Sequence, residues 1–449
     1  MGRRNIDRRT IYYWFLQVIW TRSNFSLFYR KISIFNRKRV PKNEPLILVS
    51  NHQNALMDAL AFASEPGQQR IFLTRADVFN KPLVERFLYS IKMLPIFRIR
   101  DGRESLKKNE EIFELAVNIV NNKRCPLFLF PEGNHGDKRR LRPLVKGIFR
   151  IAFRAQEKYG NKPGVKIMPA GLDYEHYQKF GKRLTVIYGE PIEVSEYWDE
   201  FQKNAATGTN LLRERLAKEM SKWMIDIQTE EYYDTYMNLR EIYQPTLIDK
   251  LGLNQNNQLD RFNAGKKLIQ SLDNTLENSP EKLVPLKEKT EEYVNLRKKS
   301  GLREWVFRKP RYSNLGAFIS LLVSVILSPV VLFGLINNWP VFFIPGKFSR
   351  TKIKDTQFQS TAAFGMGLAI QFVYYPILIA LGFIFLPELW MKLLYIPSIP
   401  LSIKASYSVW RLFIKTLAKF RYNFNKKKLQ KIIELRKELI ADVDSLIDI

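Results

Sequence analysis

Two long segments without a single charged residue constrain the fold of this chain more than any other feature. They run from Leu315 to Ile344 and from Ser360 to Pro387. About 20 apolar residues in a helix cross a bilayer, so each segment is long enough to span one. A nucleic-acid-binding protein has no use for such segments. We therefore expect a lipid membrane, and no nucleic acid, among the partners.

The chain also carries a large positive charge, with 72 Lys and Arg against 44 Asp and Glu in 449 residues, a formal net charge of +28. Such a charge attracts polyanions, whether nucleic acid, anionic lipid or phosphorylated small molecules. Because the uncharged segments favour the membrane, we interpret the charge as attraction to anionic lipid and phosphorylated ligands.

The cysteine and the N-terminus bear on the cellular compartment. Cys125 is the single cysteine, which excludes an intramolecular disulfide, and we expect a buried, unreactive thiol rather than an acyl-accepting nucleophile. The first apolar patch is interrupted by Gln17, Arg22 and Arg30 and does not resemble a signal peptide. We therefore expect the globular part of the chain to face the cytoplasm.

Short apolar runs alternate with helical patterns up to about residue 197. The runs that predict strands are Leu46–Ser50, Ile71–Thr74, Leu94–Phe97, Leu127–Phe130, Val165–Met168 and Leu184–Tyr188. Residues 104–121 and 145–159 predict helices between them. This alternation predicts an α/β domain over residues 31–197, a mixed sheet covered by helices.

Four further regions flank this domain. Residues 1–30 predict a basic aromatic helix at a membrane interface, with an ordinary amphipathic helix packed on the domain as the alternative. The others are a charged helical insert of unassigned role (198–310), a membrane region (311–402) and a basic amphipathic helical tail (403–449). We expect the membrane region to form two spanning helices. Re-entrant segments are the alternative, because the flanks and the linker are all basic and Pro329 and Pro387 interrupt the apolar segments.

His52 lies where a predicted strand gives way to a helix, in the run Asn51-His52-Gln53-Asn54-Ala55-Leu56-Met57-Asp58. An imidazole can take a proton from an alcohol, while a carboxylate orients the ring and stabilises the imidazolium. The alternative is a helix N-terminus with an incidental histidine. On a regular helix of about 100° per residue, Asp58 would point about 120° away from His52. A His52–Asp58 pair therefore requires an irregular turn.

A second motif, Phe130-Pro131-Glu132-Gly133, precedes a basic loop. Glu132 can accept hydrogen bonds from a polyol hydroxyl, and Gly133 lets the backbone approach a ligand closely. The cations that can bind phosphate are Lys138, Arg139, Arg140, Arg142 and Lys146. The alternative is a solvated turn. Arg98 and Arg100, which follow a predicted strand, add a phosphate-binding candidate, and Pro169 ends a strand that can shape a pocket.

The chain resembles the glycerol-3-phosphate and 1-acylglycerol-3-phosphate acyltransferases over roughly residues 30–195. The resemblance lies in four sequence blocks that occur in the family's order: Asn-His…Asp, an arginine after a strand, Phe-Pro-Glu-Gly, and an apolar residue followed by Pro. The resemblance implies acyl transfer from a thioester of coenzyme A or acyl carrier protein to a glycerol hydroxyl, with His52 as base and Asp58 as its partner. It implies that Arg98, Glu132 and Gly133 hold the glycerol phosphate, with Arg100 as a substitute for Arg98, and that Pro169 belongs to the acyl-pocket block. It implies no bound cofactor, no metal and no covalent acyl-enzyme.

Two departures from the family pattern are visible. The family usually has four residues between His and Asp; here there are five, as in the fungal glycerol-3-phosphate acyltransferases. After Phe-Pro-Glu-Gly the family commonly continues Thr-Arg-Ser, whereas this chain reads Asn134-His135-Gly136. Arg139, Arg140 or Lys146 would replace the missing arginine, and His135 is a second candidate base. We expect His176 to be structural or exposed.

The expected reaction acylates 1-acyl-sn-glycerol-3-phosphate (lysophosphatidate) to phosphatidate, a step of phospholipid synthesis. Acylation of glycerol-3-phosphate itself is an alternative, to which the five-residue spacer and the long membrane region point, and an aminolipid acceptor is a more distant one. A different class, a non-catalytic lipid-binding or scaffold protein, is disfavoured by the intact His52, Asp58 and Glu132. It would gain support if the His52 and Asp58 side chains lay about 8 Å or more apart.

Overall fold

The computed structural model describes residues 6–8, 10–65, 67–97 and 103–447, including the backbone but not the side chains of 103–108. The chain forms two compact units. The first comprises Met1–Asp226 together with Lys354–Thr361, and the second comprises Ile227–Ile353 together with Ala362–Ile449. The first unit is therefore discontinuous in sequence.

A mixed sheet forms the centre of the first unit. Its strands are β1 (Lys31–Phe35), β2 (Leu46–Ser50), β3 (Ile71–Arg75), β4 (Met93–Ile96), β5 (Leu127–Leu129), β6 (Lys166–Tyr174), β7 (Arg183–Tyr188) and β8 (Ile192–Glu193). The order is β1-β7-β6-β2-β5-β3-β4, with β8 paired to β6. Strands β6, β2, β5, β3 and β4 run parallel, while β7 is antiparallel to β6 and parallel to β1. The predicted α/β class is confirmed, and all six predicted strands are present.

The central strand β2 is buried along its whole length. It lies between β6 and β5, and its sequence Leu-Ile-Leu-Val is a continuous apolar run. A parallel strand covered on both faces requires such a run, because both of its rows of side chains enter a core. Ile47 and Val49 pack in one core with Phe149 and Phe153. This packing fixes the end of β2 from which His52 follows.

Helices and short turns cover the sheet. They are α1 (Ile11–Phe15) and α2 (Ser23–Phe28), joined by the π-helical segment Leu16–Arg22, then α3 (Ala55–Ala63), α4 (Pro82–Ser90), α5 (Arg103–Asn122), α6 (Gly147–Gln156), α7 (Trp198–Lys203) and α8 (Ala205–Lys222), with 3-10 turns at Arg37–Arg39, Ala76–Val78 and Val194–Tyr197. Both predicted helices are present as α5 and α6. Helices α7 and α8 belong to the first unit, although the predicted insert begins at residue 198.

The N-terminal helix has two faces of different character. Tyr13 and Phe25 are buried, whereas Ile11, Trp14 and Phe15 are exposed. An exposed row of apolar and aromatic side chains suits the headgroup region of a bilayer. The interfacial position of residues 1–30 stays a prediction that this exposure supports.

The second unit is helical. It contains α9 (Tyr233–Lys250), α10 (Gln258–Asn278), α11 (Leu283–Ser300), α12 (Asn314–Ile326), α13 (Ser328–Lys352), most of α14 (Thr356–Phe385), α15 (Leu389–Phe424) and α16 (Gln430–Asp444), with 3-10 turns at Pro280–Lys282 and Glu304–Arg308. Within it, the buried Glu304 carboxylate lies 2.8 Å from Nε of Arg436, which ties the turn before α12 to α16.

Helices α13 and α14 are long and apolar enough to cross a membrane, with 25 and 30 residues and mean hydropathies of 1.3 and 2.1. Each predicted apolar segment ends or divides near a proline. Helix α12 ends at Ile326 and α13 begins at Ser328, with Pro329 in its first turn, and α14 ends at Phe385 before Pro387. By length and composition the two helices support membrane association. The choice between spanning and re-entrant segments stays a prediction.

Candidate active site

The predicted histidine and aspartate meet at the carboxyl end of β2. Nδ1 of His52 lies 2.9 Å from Oδ2 of Asp58. The Asp58 side chain is fully buried, whereas 16% of the His52 side chain is exposed. The pair is thus anchored on the protein side and open on the other, as a base that must reach a substrate requires. The two side chains are thus much closer than the separation of about 8 Å that would favour a non-catalytic protein.

The turn between the two residues is irregular, as the six-residue separation requires. His52 precedes α3, Asn54 has φ −139° and ψ 43°, and Ala55 has a left-handed φ of 42°. Oδ2 of Asp58 accepts hydrogen bonds from the backbone N–H groups of Gln53 and Asn54, both at 2.7 Å. The carboxylate therefore folds back over the first turn of its own helix and reaches the imidazole.

A tyrosine that belongs to none of the predicted motifs completes this arrangement. The hydroxyl of Tyr174 donates to Oδ1 of Asp58 at 2.6 Å. Burial of the ring and the nearby Asp58 charge raise the pKa of Tyr174 well above its ordinary value, so the hydroxyl keeps its proton and remains a donor. Both oxygens of Asp58 are consequently engaged, Oδ1 by Tyr174 and Oδ2 by His52 and the two backbone groups.

Two aromatic rings hold the His52 imidazole in place. Phe130, which follows β5, stacks on it with ring centroids 3.9 Å apart and an interplanar angle of 7°. His135 approaches edge-on at 5.6 Å. Stacking fixes the plane of the imidazole, and Asp58 fixes its Nδ1. The nitrogen left for a substrate is therefore Nε2.

Glu132 is bound to protein groups on both oxygens. Oε1 accepts the backbone N–H of His52 at 2.9 Å, and Oε2 accepts from Nε of Arg142 at 2.7 Å. Only 1% of its side chain is exposed, and burial raises the pKa of the Glu132 carboxyl while Arg142 opposes the rise. This geometry positions the His52 backbone. A direct contact between Glu132 and a polyol hydroxyl stays a prediction and would compete with these bonds.

Gly133 occupies a backbone conformation that favours glycine. Its φ is +69°, and a Cβ built on it would lie 2.8 Å from Cγ1 of Val145. The turn is closed by a hydrogen bond from its N–H to the Phe130 carbonyl at 3.2 Å. Both features identify a turn that a larger residue would distort. The predicted role of Gly133 in holding a ligand is untested by this geometry.

The basic loop divides into paired and open cations. Arg139 is buried, forms an ion pair with Asp173 and donates to the Tyr174 carbonyl. These contacts give Arg139 a structural role in place of the predicted one, in which it would replace the family's missing arginine. Arg142 is bound to Glu132. Lys146, in contrast, is exposed at the start of α6. Of these three cations, Lys146 is the one that an incoming phosphate can reach without breaking an ion pair.

Of the remaining predicted residues, the structure describes Pro169 but neither Arg98 nor Arg100. Arg98 and Arg100 lie outside the described residues. The strand that leads to them, β4, ends at Ile96, and the backbone N–H and carbonyl of the next residue, Phe97, are both bound by the Asn109 side chain, at 2.8 and 2.6 Å. Pro169 is buried in β6, in register with Val49 of β2, and its carbonyl accepts from the Gly189 N–H at 2.8 Å. Its predicted part in an acyl pocket stays a prediction.

A short segment from much later in the chain also borders the site. The Phe358 ring meets His135 edge-on with centroids 4.7 Å apart, and Oδ2 of Asp355 lies 3.7 Å from Nε2 of His135. The hydroxyl of Ser360 donates to Oδ1 of Asn54. Burial and the neighbouring His52 lower the pKa of His135, which keeps this second ring neutral at pH 7. Nothing in the local sequence could have linked these residues.

Two further predictions concern residues outside the site. Cys125 is buried, as predicted, and its thiol donates to the Asp7 carbonyl at 3.3 Å. His176 is half-buried, and its Nδ1 accepts the N–H of Gln178 at 3.3 Å, which is the structural role that we expected.

Known proteins similar to this chain are acyltransferases. A family model described as "Acyltransferase" matches residues 31–173. Glycerol-3-phosphate O-acyltransferase 2 of Saccharomyces cerevisiae is 27% identical over 260 residues, 55% of this chain and 33% of the yeast protein. A chloroplastic 1-acyl-sn-glycerol-3-phosphate acyltransferase of Brassica napus is 28% identical over 165 residues, 36% of this chain and 43% of the plant protein. The chain thus spans about a third of the length of the yeast relative.

Among solved structures, the crystal structure of the 1-acyl-sn-glycerophosphate acyltransferase of Thermotoga maritima aligns with 44% of this chain and 74% of that chain, at a TM-score of 0.32 and 16% identity. That likeness is too slight to carry an argument. The range matched by the family model contains His52, Asp58 and Glu132. Residues 31–173 thus match the acyltransferase family model, and glycerol-3-phosphate and 1-acyl-sn-glycerol-3-phosphate acyltransferases are homologues of this chain.

Proposed function

We propose that this protein transfers a fatty acyl chain from acyl-CoA or acyl carrier protein to the hydroxyl of 1-acyl-sn-glycerol-3-phosphate, forming phosphatidate. The observation that carries the proposal is the His52–Asp58 pair, 2.9 Å apart, on the carboxyl end of β2. In open α/β sheets, ligands bind in the crevice outside the carboxyl ends of the strands. A base at this position meets an incoming alcohol without any rearrangement of the sheet.

The first chemical step is proton transfer coupled to attack. Nε2 of His52 takes the proton of the acceptor hydroxyl as its oxygen attacks the thioester carbonyl, forming the new C–O bond. The positive charge that develops on the imidazole is stabilised by Asp58 through Nδ1. Because Asp58 is itself held by Tyr174 and two backbone N–H groups, it needs no reorganisation during the step.

The second step breaks the thioester. The tetrahedral intermediate collapses, the C–S bond breaks, and the proton on His52 returns to the departing sulfur to give a free thiol. The acyl chain passes directly from sulfur to oxygen, so neither a covalent acyl-enzyme nor a bound cofactor takes part. The acceptor phosphate would be held by Lys146 together with Arg98 and the Gly133 turn, with Arg100 as an alternative to Arg98.

A second acceptor, glycerol-3-phosphate, has a specific observation in its favour. The yeast relatives named as glycerol-3-phosphate O-acyltransferases match 55% and 57% of this chain, whereas the plant relative that acts on the monoacylated acceptor matches 36%. The five-residue spacer between His52 and Asp58 agrees with this choice. The same base and the same two steps serve either acceptor.

We place the enzyme at a membrane with its catalytic unit on the cytoplasmic face. Helices α13 and α14 supply the membrane contact, and the exposed aromatic row of residues 11–19 supplies an interfacial one. Both the acyl chains and the product are lipids, so a bilayer contact shortens the path of each to the site.

One assay tests the proposal. Membranes carrying the full chain are offered radiolabelled glycerol-3-phosphate or 1-acylglycerol-3-phosphate, with acyl-CoA or acyl carrier protein as donor. His52→Ala should lower incorporation by about 100- to 10,000-fold, which is the usual contribution of a general base. His176→Ala removes a histidine outside the site and is the matched control. The proposal fails if His52→Ala keeps wild-type incorporation or if neither acceptor is labelled.

A further inference from the structure

A basic pocket lies at the end of the sheet opposite to His52. It has a volume of about 380 Å³ and is lined by segments that precede three neighbouring parallel strands. Lys42 precedes β2, Arg70 precedes β3 and Arg124 precedes β5. His52 and Phe130 of the candidate active site follow the carboxyl ends of two of these strands, β2 and β5. A five-residue strand spans about 16 Å, so the two sites are separate.

The charge of this pocket is strongly one-sided. Its lining contains five cations, Arg37, Lys42, Arg70, Lys123 and Arg124, and a single carboxylate, Glu65. Oε1 of Glu65 lies 2.7 Å from Nε of Arg37, and its Oε2 lies 2.6 Å from Nη2 of Arg70. One negative charge is thus shared between two arginines, and the pocket keeps a clear excess of positive charge.

The floor of the pocket is rigidly built. Arg70 is 2% exposed, and its guanidinium donates to the Phe62 carbonyl at 2.5 Å and to the Tyr188 hydroxyl at 2.9 Å. Among the residues that the structure describes, none accepts a hydrogen bond from Nε of Arg70. A buried donor without an acceptor is unusual, because leaving it unpaired costs free energy. The unused N–H is the observation that points to a bound acceptor.

The rim carries a second unusual feature. Lys123 has a left-handed φ of 60° directly after α5, a place where glycine is the favoured residue. Within the described ranges, neither Lys42 nor Lys123 has a carboxylate oxygen within 4 Å, the distance at which an ion pair forms. A lysine kept in a backbone conformation that suits glycine is a reason to look for a function of its side chain.

We propose that this pocket binds a phosphate-bearing anion, either a soluble phosphate ester or the headgroup of an anionic lipid. Arg70 and Arg37 would form its base, while Lys42 and Lys123 close over it from the rim. The volume falls within the range of ordinary ligand pockets, about 300–1,000 Å³. The pocket shares no lining residue with the candidate active site around His52.

The test measures binding rather than turnover. The full chain in a neutral detergent is titrated calorimetrically with sodium diphosphate and, separately, with a short-chain phosphatidylglycerol below its micellar concentration. Three variants accompany the wild type. The rim variant, Lys42→Gln/Lys123→Gln, removes both lysines of the rim. The α11 variant, Lys298→Gln/Lys299→Gln, removes the same charge from exposed positions on α11. The third variant, Lys146→Gln, removes a cation at the His52 end of the sheet.

We expect the rim variant to raise the Kd about tenfold for one of the two probes, while the other two variants leave that Kd within about twofold. The probe that responds identifies the source of the phosphate. A further variant, Lys123→Gly, should bind more weakly and yet unfold at a higher temperature, because glycine relieves the left-handed backbone. The proposal is overturned if the rim variant binds both probes as the wild type does, if the α11 variant weakens binding equally, or if only Lys146→Gln weakens it.

Discussion

Asp58 follows His52 by six residues, and yet its Oδ2 lies 2.9 Å from Nδ1 of the histidine. A regular helix would turn the two side chains apart, but the left-handed Ala55 starts the helix late and leaves His52 outside it. The backbone N–H groups of Gln53 and Asn54 then anchor the same carboxylate oxygen. The pair is therefore set before any substrate arrives, which is the condition for efficient proton transfer.

Replacing Tyr174 by phenylalanine should weaken both stability and turnover. The change leaves Oδ1 of Asp58 buried without its donor, which costs about 1–3 kcal/mol in the free energy of unfolding. A carboxylate that is less well held should also lower kcat about tenfold, equal to about 1.4 kcal/mol in the barrier. Denaturation and steady-state kinetics measure the two effects. Tyr177→Phe, whose hydroxyl donates to the Asp137 carbonyl at an exposed position, is the control and should change neither by as much.

Replacing Glu132 by glutamine separates a positioning role from a substrate-binding one. Glutamine can still accept from the His52 N–H, but it loses the charge that pairs with Arg142. We expect kcat to fall about tenfold or more while the KM for the glycerol phosphate acceptor changes by less than about threefold. The measurement is kcat and KM over a range of acceptor concentrations.

The opposite result for Glu132→Gln would support the substrate-binding role that the sequence motif predicts for Glu132. If KM rose about tenfold or more with kcat unchanged, the carboxylate would be contacting the acceptor directly. Asp137→Asn, an exposed carboxylate in the same loop, is the matched control and should leave both constants at their wild-type values.

Replacing Gly133 by alanine should destabilise the site through two separable causes. The left-handed φ of +69° costs an L-residue about 1 kcal/mol, and the new Cβ meets Cγ1 of Val145 at 2.8 Å. Adding Val145→Ala to the variant removes the contact but not the backbone strain. We expect the double variant to recover part of the stability lost by the single one, measured by chemical denaturation. Full recovery would show that backbone conformation contributes nothing at this position.

His176 should make the fold sensitive to acid. Burial, together with Lys179 and Lys182, lowers the pKa of His176 to about 4 in the folded chain, whereas an unfolded histidine has about 6.5. Between those values the unfolded chain binds more protons, so stability is lost as the pH falls from about 6.5 to 4. His176→Gln should flatten this loss by about 2–3 kcal/mol. Unfolding curves of both proteins across that range decide the matter, and parallel curves would contradict the prediction.

The sheet was legible from sequence where its strands are buried. Strands such as β2 carry continuous apolar runs, since both of their faces enter a core. The two strands that sequence reasoning missed lack that signal. β1 is a half-exposed strand that begins with a lysine, and β8 has two residues. β1 pairs with β7, which lies far away in sequence, and β8 pairs with β6 across the intervening β7.

The site was legible only where its contacts are local. The need for an irregular turn between His52 and Asp58 follows from helix geometry, and that turn is present. Tyr174 reaches Asp58 from a strand that the chain enters more than a hundred residues later, so no spacing rule could have indicated it. Arg139 resembles a phosphate ligand in sequence, and only the fold shows that Asp173 already binds it.

The contact between Ser360 and Asn54 has a consequence for how the protein is made. Asn54 lies two residues after the proposed base, His52, but its partner Ser360 is synthesised 306 residues later. Domains generally fold as they leave the ribosome, N-terminal part first. The catalytic unit therefore completes its own structure only after the whole of α9 to α13 has been translated. An expression clone that stops after Asp226 would lack Lys354–Thr361, the later segment of the first unit, and with it the Ser360 hydroxyl that binds Asn54.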